Sequence, residues 1–279
     1  MPPDGDVRPG FAVVVRDHPA LPAPNRVAVL AIDLDLQRIA SGTVRPGESL
    51  HPIVAESAVR PNPAAWSRFA GSLTIVAESP APGPFLEITR ALPPAAFELL
   101  VPPEAAGDGS IAVVAASLGT PVRLAGAAGW TREAIDAIAD YFLHSPTLAV
   151  PVEPFFSLAA SIGGDADATL SRVFEEQPGR NAFVDGGRAS LSERRASRGE
   201  WFGRTDEGRA SLERSRLWRE TADARHRLLA AQSGCAFCRH FRFCVGGWLT
   251  TGDDAASCRL WRDAMDRFEA AVRGAAGGA

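Results

Sequence analysis

The four cysteines are the one set of residues in this 279-residue chain whose type and spacing combine into recognisable chemistry. Cys235, Cys238, Cys244 and Cys258 follow the spacing C-x2-C-x5-C-x13-C, opening with the run Cys235-Ala236-Phe237-Cys238-Arg239-His240-Phe241-Arg242-Phe243-Cys244. Two thiolates separated by two residues grip one centre from a single turn, and the later two close the cage from the other side. All four fall within 24 residues. A secreted scaffold distributes its cysteines as staples through the fold, so this clustering points to a metal centre and not to disulfides. Four soft anionic ligands suit a tetrahedral zinc ion and an iron-sulfur cube alike, and spacing alone does not separate them. Gly234, Arg239, His240 and Arg242 make the region a polar loop, which argues against four cysteines serving only as buried apolar filler.

The flanking residues supply the centre's surroundings. Arg239 and Arg242 are expected to offset the negative charge of a thiolate-bound centre, and His240 is a spare ligand beside an already complete set. Phe237, Phe241, Phe243, Trp248 and Trp261 provide apolar walls that limit water access. Cys258 opens an amphipathic helix carrying Leu260, Trp261, Ala264, Met265 and Phe268, and the positive N-terminal dipole there is expected to favour its thiolate. Glu153, His18, His51, His144 and His226 share no spacing with one another and read as structural or exposed. The sequence contains no phosphate-binding P-loop, no G-x-G-x-x-G after a strand, no G-x-S-x-G elbow and no H-E-x-x-H.

The elements that must position the cysteines follow from periodicity. Phe11 to Arg16 and Arg26 to Leu34 are β-rich runs separated by a Pro-rich turn. A polar, Pro-containing stretch from Arg45 to Pro63 is followed by strands at Leu73 to Ala77, Ala96 to Val101, Val122 to Leu124 and Thr147 to Val152. Helical spacing occupies Pro84 to Leu92, Gly109 to Leu118 and Thr131 to Leu143, the last with Thr131 as N-cap. Alternating strand and helix predicts a parallel α/β sheet resembling part of a (β/α) barrel, with too few units to close an eight-fold ring. Pro151 and Pro154 end the last strand and launch Phe155 to Ile162 as a helix. Gly163, Gly164 and Asp165 mark an expected boundary, giving an α/β domain over 1–162 and a small α+β metal domain over 163–279. The second domain opens with a short helix at Ala168 to Glu176 and a strand, Gly-rich turn and strand over Asn181 to Leu191. A β turn around Trp201 to Gly208 and a long polar helix from Ser211 to Gln232 then lead to the cysteines.

Composition bounds the partners. All 29 basic residues are arginine, and the formal net charge is -4. Gln177 to Arg262 holds 16 Arg against 10 Asp and Glu, yet these alternate at helical spacing, as in Glu213, Arg214, Arg216, Arg219 and Glu220, which reads as a solvated, ion-paired face. No nucleic-acid-binding motif is present, so no nucleic-acid partner is expected. No run approaches the roughly 18 apolar residues of a spanning helix, and Met1 to Asp6 carries prolines and acids where a secretory leader starts with positive charge. A cytoplasmic protein with no membrane partner is the expectation.

The order of features resembles the C-terminal SPASM/twitch domain of radical SAM enzymes, which carries auxiliary [4Fe-4S] clusters and often serves peptide modification. Phe183-Val184-Asp185-Gly186-Gly187-Arg188 resembles that family's hairpin, Gly203 its intervening glycine, and Leu212 to Leu229 the helix before the cysteines. The βα repeats ending in Pro151-Val152-Glu153-Pro154 resemble the later part of the partial barrel that precedes such a domain. By this resemblance Cys235, Cys238, Cys244 and Cys258 correspond to the full ligand set of the second auxiliary cluster, which implies a [4Fe-4S] cofactor, with zinc as the alternative. Ser192, Gly208 and Trp248 stand where the first auxiliary cluster would take thiolates. No cysteine precedes Cys235, so the C-x3-C-x2-C motif that binds and cleaves S-adenosylmethionine is absent, and self-contained radical SAM catalysis is excluded. The resemblance implies an accessory protein for peptide maturation, binding a peptide substrate or a biosynthetic partner enzyme. Electron relay to a separate enzyme and a small-molecule enzyme with a structural four-cysteine zinc site are the alternatives.

Overall fold

The computed structural model describes residues 11–16, 26–31, 50–71, 73–126, 129–145, 150–166, 168–173, 181–185, 187–191, 195–196, 199–204, 207, 209–231, 234–244 and 255–277. Its strands are β1 (Phe11–Arg16), β2 (Arg26–Ala31), β3 (Leu50–Ala55), β4 (Leu73–Val76), β5 (Phe97–Val101), β6 (Val122–Leu124), β7 (Val152–Glu153), β8 (Asn181–Asp185), β9 (Arg188–Ser190) and β10 (Gly203–Arg204). The principal helices of the α/β body are α1 (Gly83–Thr89), α2 (Ser110–Ser117), α3 (Arg132–His144) and α4 (Phe155–Ile162). The remaining two followed here are α5 (Ala224–Ala230) and α6 (Ala255–Gly277).

Contacts gather the chain into two compact units, 1–52 with 175–222, and 53–174 with 223–279. These divisions differ from the boundary expected at Gly163 and from domains of 1–162 and 163–279. The cause is a long-range pairing invisible to local pattern: β8 pairs in parallel with β1, so the first strands share a unit with a segment made much later. In that first unit β1 and β2 are antiparallel, as are β8 with β9 and β9 with β10. Phe202 meets Trp218 edge to face at 5.2 Å, and both are buried.

The second unit is built on five parallel strands in the order β3-β4-β5-β6-β7. Each strand lies beside its predecessor in sequence, so the sheet has no point at which strand order reverses, unlike a doubly wound nucleotide fold. Parallel crossovers are right-handed almost without exception, and an unreversed order therefore sends the connecting helices to one face. That face is visible in the burial pattern. Phe97, Leu99 and Val101 of β5 are buried, as are Val122 and Leu124 of β6, and Phe85 of α1 packs on Phe97 with ring centroids 6.0 Å apart. The sheet's other face is polar: Arg123 donates to Glu98 at 2.9 Å, Thr74 donates to the same carboxylate at 3.3 Å, and Arg123 reaches the Val173 carbonyl at 3.5 Å. Buried parallel strands usually read as unbroken apolar runs, so this alternation is a departure from the norm.

The strand at Leu50–Ala55 falls where sequence pattern showed only a polar, Pro-containing stretch. Of the expected strand at Thr147 to Val152, residues 147–149 lie outside the described ones. The helix at Phe155–Ile162 has the expected bounds, and α3 begins after Thr131, whose hydroxyl accepts from the Ala134 N–H at 3.2 Å. The expected helix from Ser211 to Gln232 is broken into Arg209–Arg214, Arg216–Ala222 and α5. Ser215 causes the first break, its hydroxyl accepting from the Trp218 N–H at 3.1 Å and so capping a new helix. Gly109 has φ +89°, and a Cβ there would lie 2.9 Å from the Ala134 carbonyl, so only glycine lets α2 start this close to α3.

Helix α6 seats on α3 and α4 through aromatic rings. Phe155 stacks on Phe268 at 5.4 Å and lies 6.3 Å from Trp261, Phe142 lies 5.6 Å from Phe268, and Trp130 meets Trp261 at 6.2 Å. Arg132 to Asp263 at 3.0 Å and Arg267 to Asp136 add ion pairs along the same seam. Phe155→Ala is expected to cost about 3–5 kcal/mol in urea unfolding, the range for emptying a buried aromatic site.

Glu153 closes β7 and accepts from Ser157 twice, from its N–H at 3.1 Å and its hydroxyl at 2.8 Å. Burial nevertheless pushes its carboxyl above the ordinary range. The Ser157 bonds and the charge of Arg123 oppose that shift, and the charge of Glu98 adds to it. A carboxyl raised in the folded state favours folding while protonated, so its contribution is complete below the unfolded pKa and is lost as pH climbs through the folded value. Glu153→Gln never ionises, and its urea midpoint relative to wild type is expected to rise steadily as pH is raised from acid towards neutral. A constant difference across that series would contradict this assignment.

Candidate metal centre

The cysteines come from two elements of the second unit. Cys235 lies in the 3-10 turn Gly234–Phe237, Cys238 follows it, and Cys244 ends the single helical turn Phe241–Cys244. The Cys238 N–H donates to the Cys235 carbonyl at 3.1 Å and the Cys244 N–H to the His240 carbonyl at 2.8 Å, so two successive tight turns set the first three cysteines. The turn holding Cys244 packs against α4, and Cys244 is buried. Cys258 arrives separately, in the first turn of α6.

None of the four cysteines is joined in a disulfide. The Cys258 thiol is pushed above its ordinary pKa, first by burial and then by the charges of Cys235 and Cys238, with Arg262 and Arg259 opposing. The direction is opposite to the expectation that the helix N-terminus would favour a thiolate, and its causes are desolvation and like charge. The same shift shows that Cys258 stands within electrostatic reach of the loop thiols. As the side chains lie, no three His, Cys, Asp or Glu among the described residues form a group that could hold a metal ion. The donor chemistry still fits one: burial and the neighbouring thiols both oppose ionisation of Cys258, and a bound cation would offset both.

Loop and helix are fastened together by a charged clamp. His240 is buried, with Nε2 against the Asp266 carboxylate and Nδ1 3.8 Å from Glu269, while Arg239 donates from Nε to Asp266 at 2.8 Å. Burial alone would raise the Asp266 carboxyl, but hydrogen bonds from His240 and Arg239 more than offset it and hold the group below its ordinary range. Both His240 nitrogens therefore face carboxylates of α6, and the residue serves as a strut between loop and helix. Arg239 is committed to the same clamp, and Arg242 donates to the Gly164 carbonyl at 2.9 Å. Arg239 also lies within electrostatic reach of Cys238, and the cations beside Cys258 are Arg259 and Arg262. Sequence reading overlooked these and the clamp residues Asp266 and Glu269, although the helical repeat Arg262, Asp266, Glu269 was a usable signal.

The expected aromatic wall divides. Phe243 and Trp261 are buried, whereas Phe237, between two of the cysteines, is 81% exposed. Trp248 and His18 lie outside the described residues, as do Ser192 and Gly208. His51 is in β3, and His144 and His226 are exposed. Among the described residues no helix is long and apolar enough to cross a membrane. Comparison with known proteins found no matching family model, no matching curated protein and no matching solved structure.

Asp266→Ala leaves the buried His240 ring and Arg239 without their shared acceptor. A loss of about 1–3 kcal/mol in urea unfolding is expected, the cost of stranding a buried polar group. Asp266→Asn, which keeps an acceptor oxygen, is expected to recover part of it. Equal losses in the two variants would remove the hydrogen-bonding role.

Proposed function

We propose that this protein is an iron-sulfur accessory protein, resembling the radical SAM/SPASM peptide maturases but unable to cleave S-adenosylmethionine, that binds a peptide substrate or a partner enzyme in natural-product maturation. The observation that carries the reading is the delivery of Cys258 by α6 to within electrostatic reach of Cys235 and Cys238 of the loop, in a chain whose four cysteines all lie in this one segment. The unreversed parallel order of β3 to β7 supports a partial-barrel body before the cysteine segment. A reducing, cytoplasmic setting belongs to the same reading, because clustered free thiols persist there.

In this reading Cys235, Cys238, Cys244 and Cys258 hold a [4Fe-4S] cluster. Such a cluster supplies one-electron chemistry or a rigid covalent staple. The chain's residues perform the remaining work. Phe243 and Trp261 exclude water on the buried side, the Arg239/His240–Asp266/Glu269 clamp fixes the spacing of loop and helix, and Arg239 offsets thiolate charge at Cys238.

Anaerobically purified protein is expected to contain iron and acid-labile sulfide in equal amounts, both lost in Cys235→Ser and Cys258→Ser. One zinc per chain with neither iron nor sulfide would replace the cluster with a structural zinc site of four thiolates. A chain free of all three would end the metal reading.

A further inference from the structure

The surface above the cysteine loop carries an unusual combination. Phe237 is the most exposed of the large apolar side chains that stand out in solvent, at 81% against 52% for Phe156, 44% for Leu118 and 40% for Leu229. An isolated exposed hydrophobe needs no explanation by itself. This one sits between two candidate ligands in an otherwise polar loop, and the turn that bears it packs against α5, the helix carrying exposed Leu229.

The charges around it are unbalanced. Along α6, Asp263 is engaged by Arg132 at 3.0 Å, Asp266 by Arg239 at 2.8 Å and Glu269 by Arg273 at 2.8 Å. The carboxylates are thus consumed by internal ion pairs. Arg259 and Arg262, both exposed, have no ion pair among the described residues, and Arg242 donates to the Gly164 carbonyl. Arg239, two residues after Phe237, donates to Asp266 of α6 at 2.8 Å, and Arg259 and Arg262 lie seven and four residues before Asp266 on the same helical stripe, so the loop and the two arginines share one side of α6. Aromatic and arginine side chains are the types enriched at the energetic centres of protein interfaces.

We infer that Phe237, Arg259 and Arg262 form a docking face for the acidic surface of a partner protein, which sets an apolar side chain against Phe237 and carboxylates against the two guanidinium groups. Charge complementarity selects the occupant. Nucleic acid fits less well, because its binding rests on many phosphate contacts, and this face offers two arginines without an ion pair among the described residues, in a chain of net charge -4. The inference rests on the partner-binding part of the proposed function and names the chemistry of that partner.

The test places the photo-crosslinking amino acid p-benzoylphenylalanine at position 237 of the full chain in the native host cell. Ultraviolet light is expected to give an adduct with one protein, and mass spectrometry to place the linked segment in a net-acidic stretch. The adduct should fall about tenfold with R259E/R262E and persist with R259K/R262K, since reversing rim charges weakens steered association. Circular dichroism melting of each variant shows whether the fold is intact, and raising the salt during irradiation of protein that keeps both arginines gives the same readout without a charge variant. No adduct, an adduct with nucleic acid, a linked segment that is neutral or basic, or an adduct insensitive to both charge reversal and salt each overturns the inference. Iron and sulfide are measured on the same preparations. Metal without docking sinks only this inference, and docking without metal sinks only the cluster reading.

Discussion

The seating of α6 on α3 and α4 is the interaction from which the candidate centre follows. Phe155, Trp261 and Phe268 interlock at centroid distances of 5.4 to 6.3 Å, and Trp261 stands one helical turn after Cys258. A rigid helix anchored by buried rings converts the position of Trp261 into the position of Cys258. Three thiols on two tight turns and a fourth on a packed helix differ in what holds them: the first set depends on local backbone hydrogen bonds, the last on the core of the α/β body. The Arg239/His240–Asp266/Glu269 clamp then ties the two supports together.

Much of the second unit was legible in sequence because its signals are local. Amphipathic spacing and a threonine cap announce α3, prolines bracket β7, and alternating apolar residues give β4, β5 and β6. Leu50–Ala55 escaped notice because His51 and Pro52 dilute its β pattern. The long polar helix was over-read because a single hydroxyl, that of Ser215, competes with the helical backbone and wins. The pairing of β1 with β8 has no local signature at all, and with it the division of the chain into units was missed.

At the candidate centre, the donors were visible as letters and spacing, whereas their environment was not. A helix N-terminus suggests an acidified thiol, yet burial and neighbouring thiols reverse the direction at Cys258. His240 looks like a ligand in the motif and is a strut in space. Exposure separates Phe237 from Phe243, two phenylalanines of one loop that sequence treats alike. These outcomes depend on which neighbours surround a group, a property that spacing within a single segment does not encode.

The parallel pairing of β1 with β8 also sets an order of assembly. During synthesis the first two strands emerge as a pair whose outer edge has no partner until residue 181 has been made, and the whole five-strand sheet is produced in the interval. An unpaired edge of this kind is a template for wrong pairing, so the nascent chain has a window of vulnerability that the finished fold conceals. Cys258 lies still later, on the last described helix, so the fourth candidate ligand is made only after the sheet and helices that hold it in place.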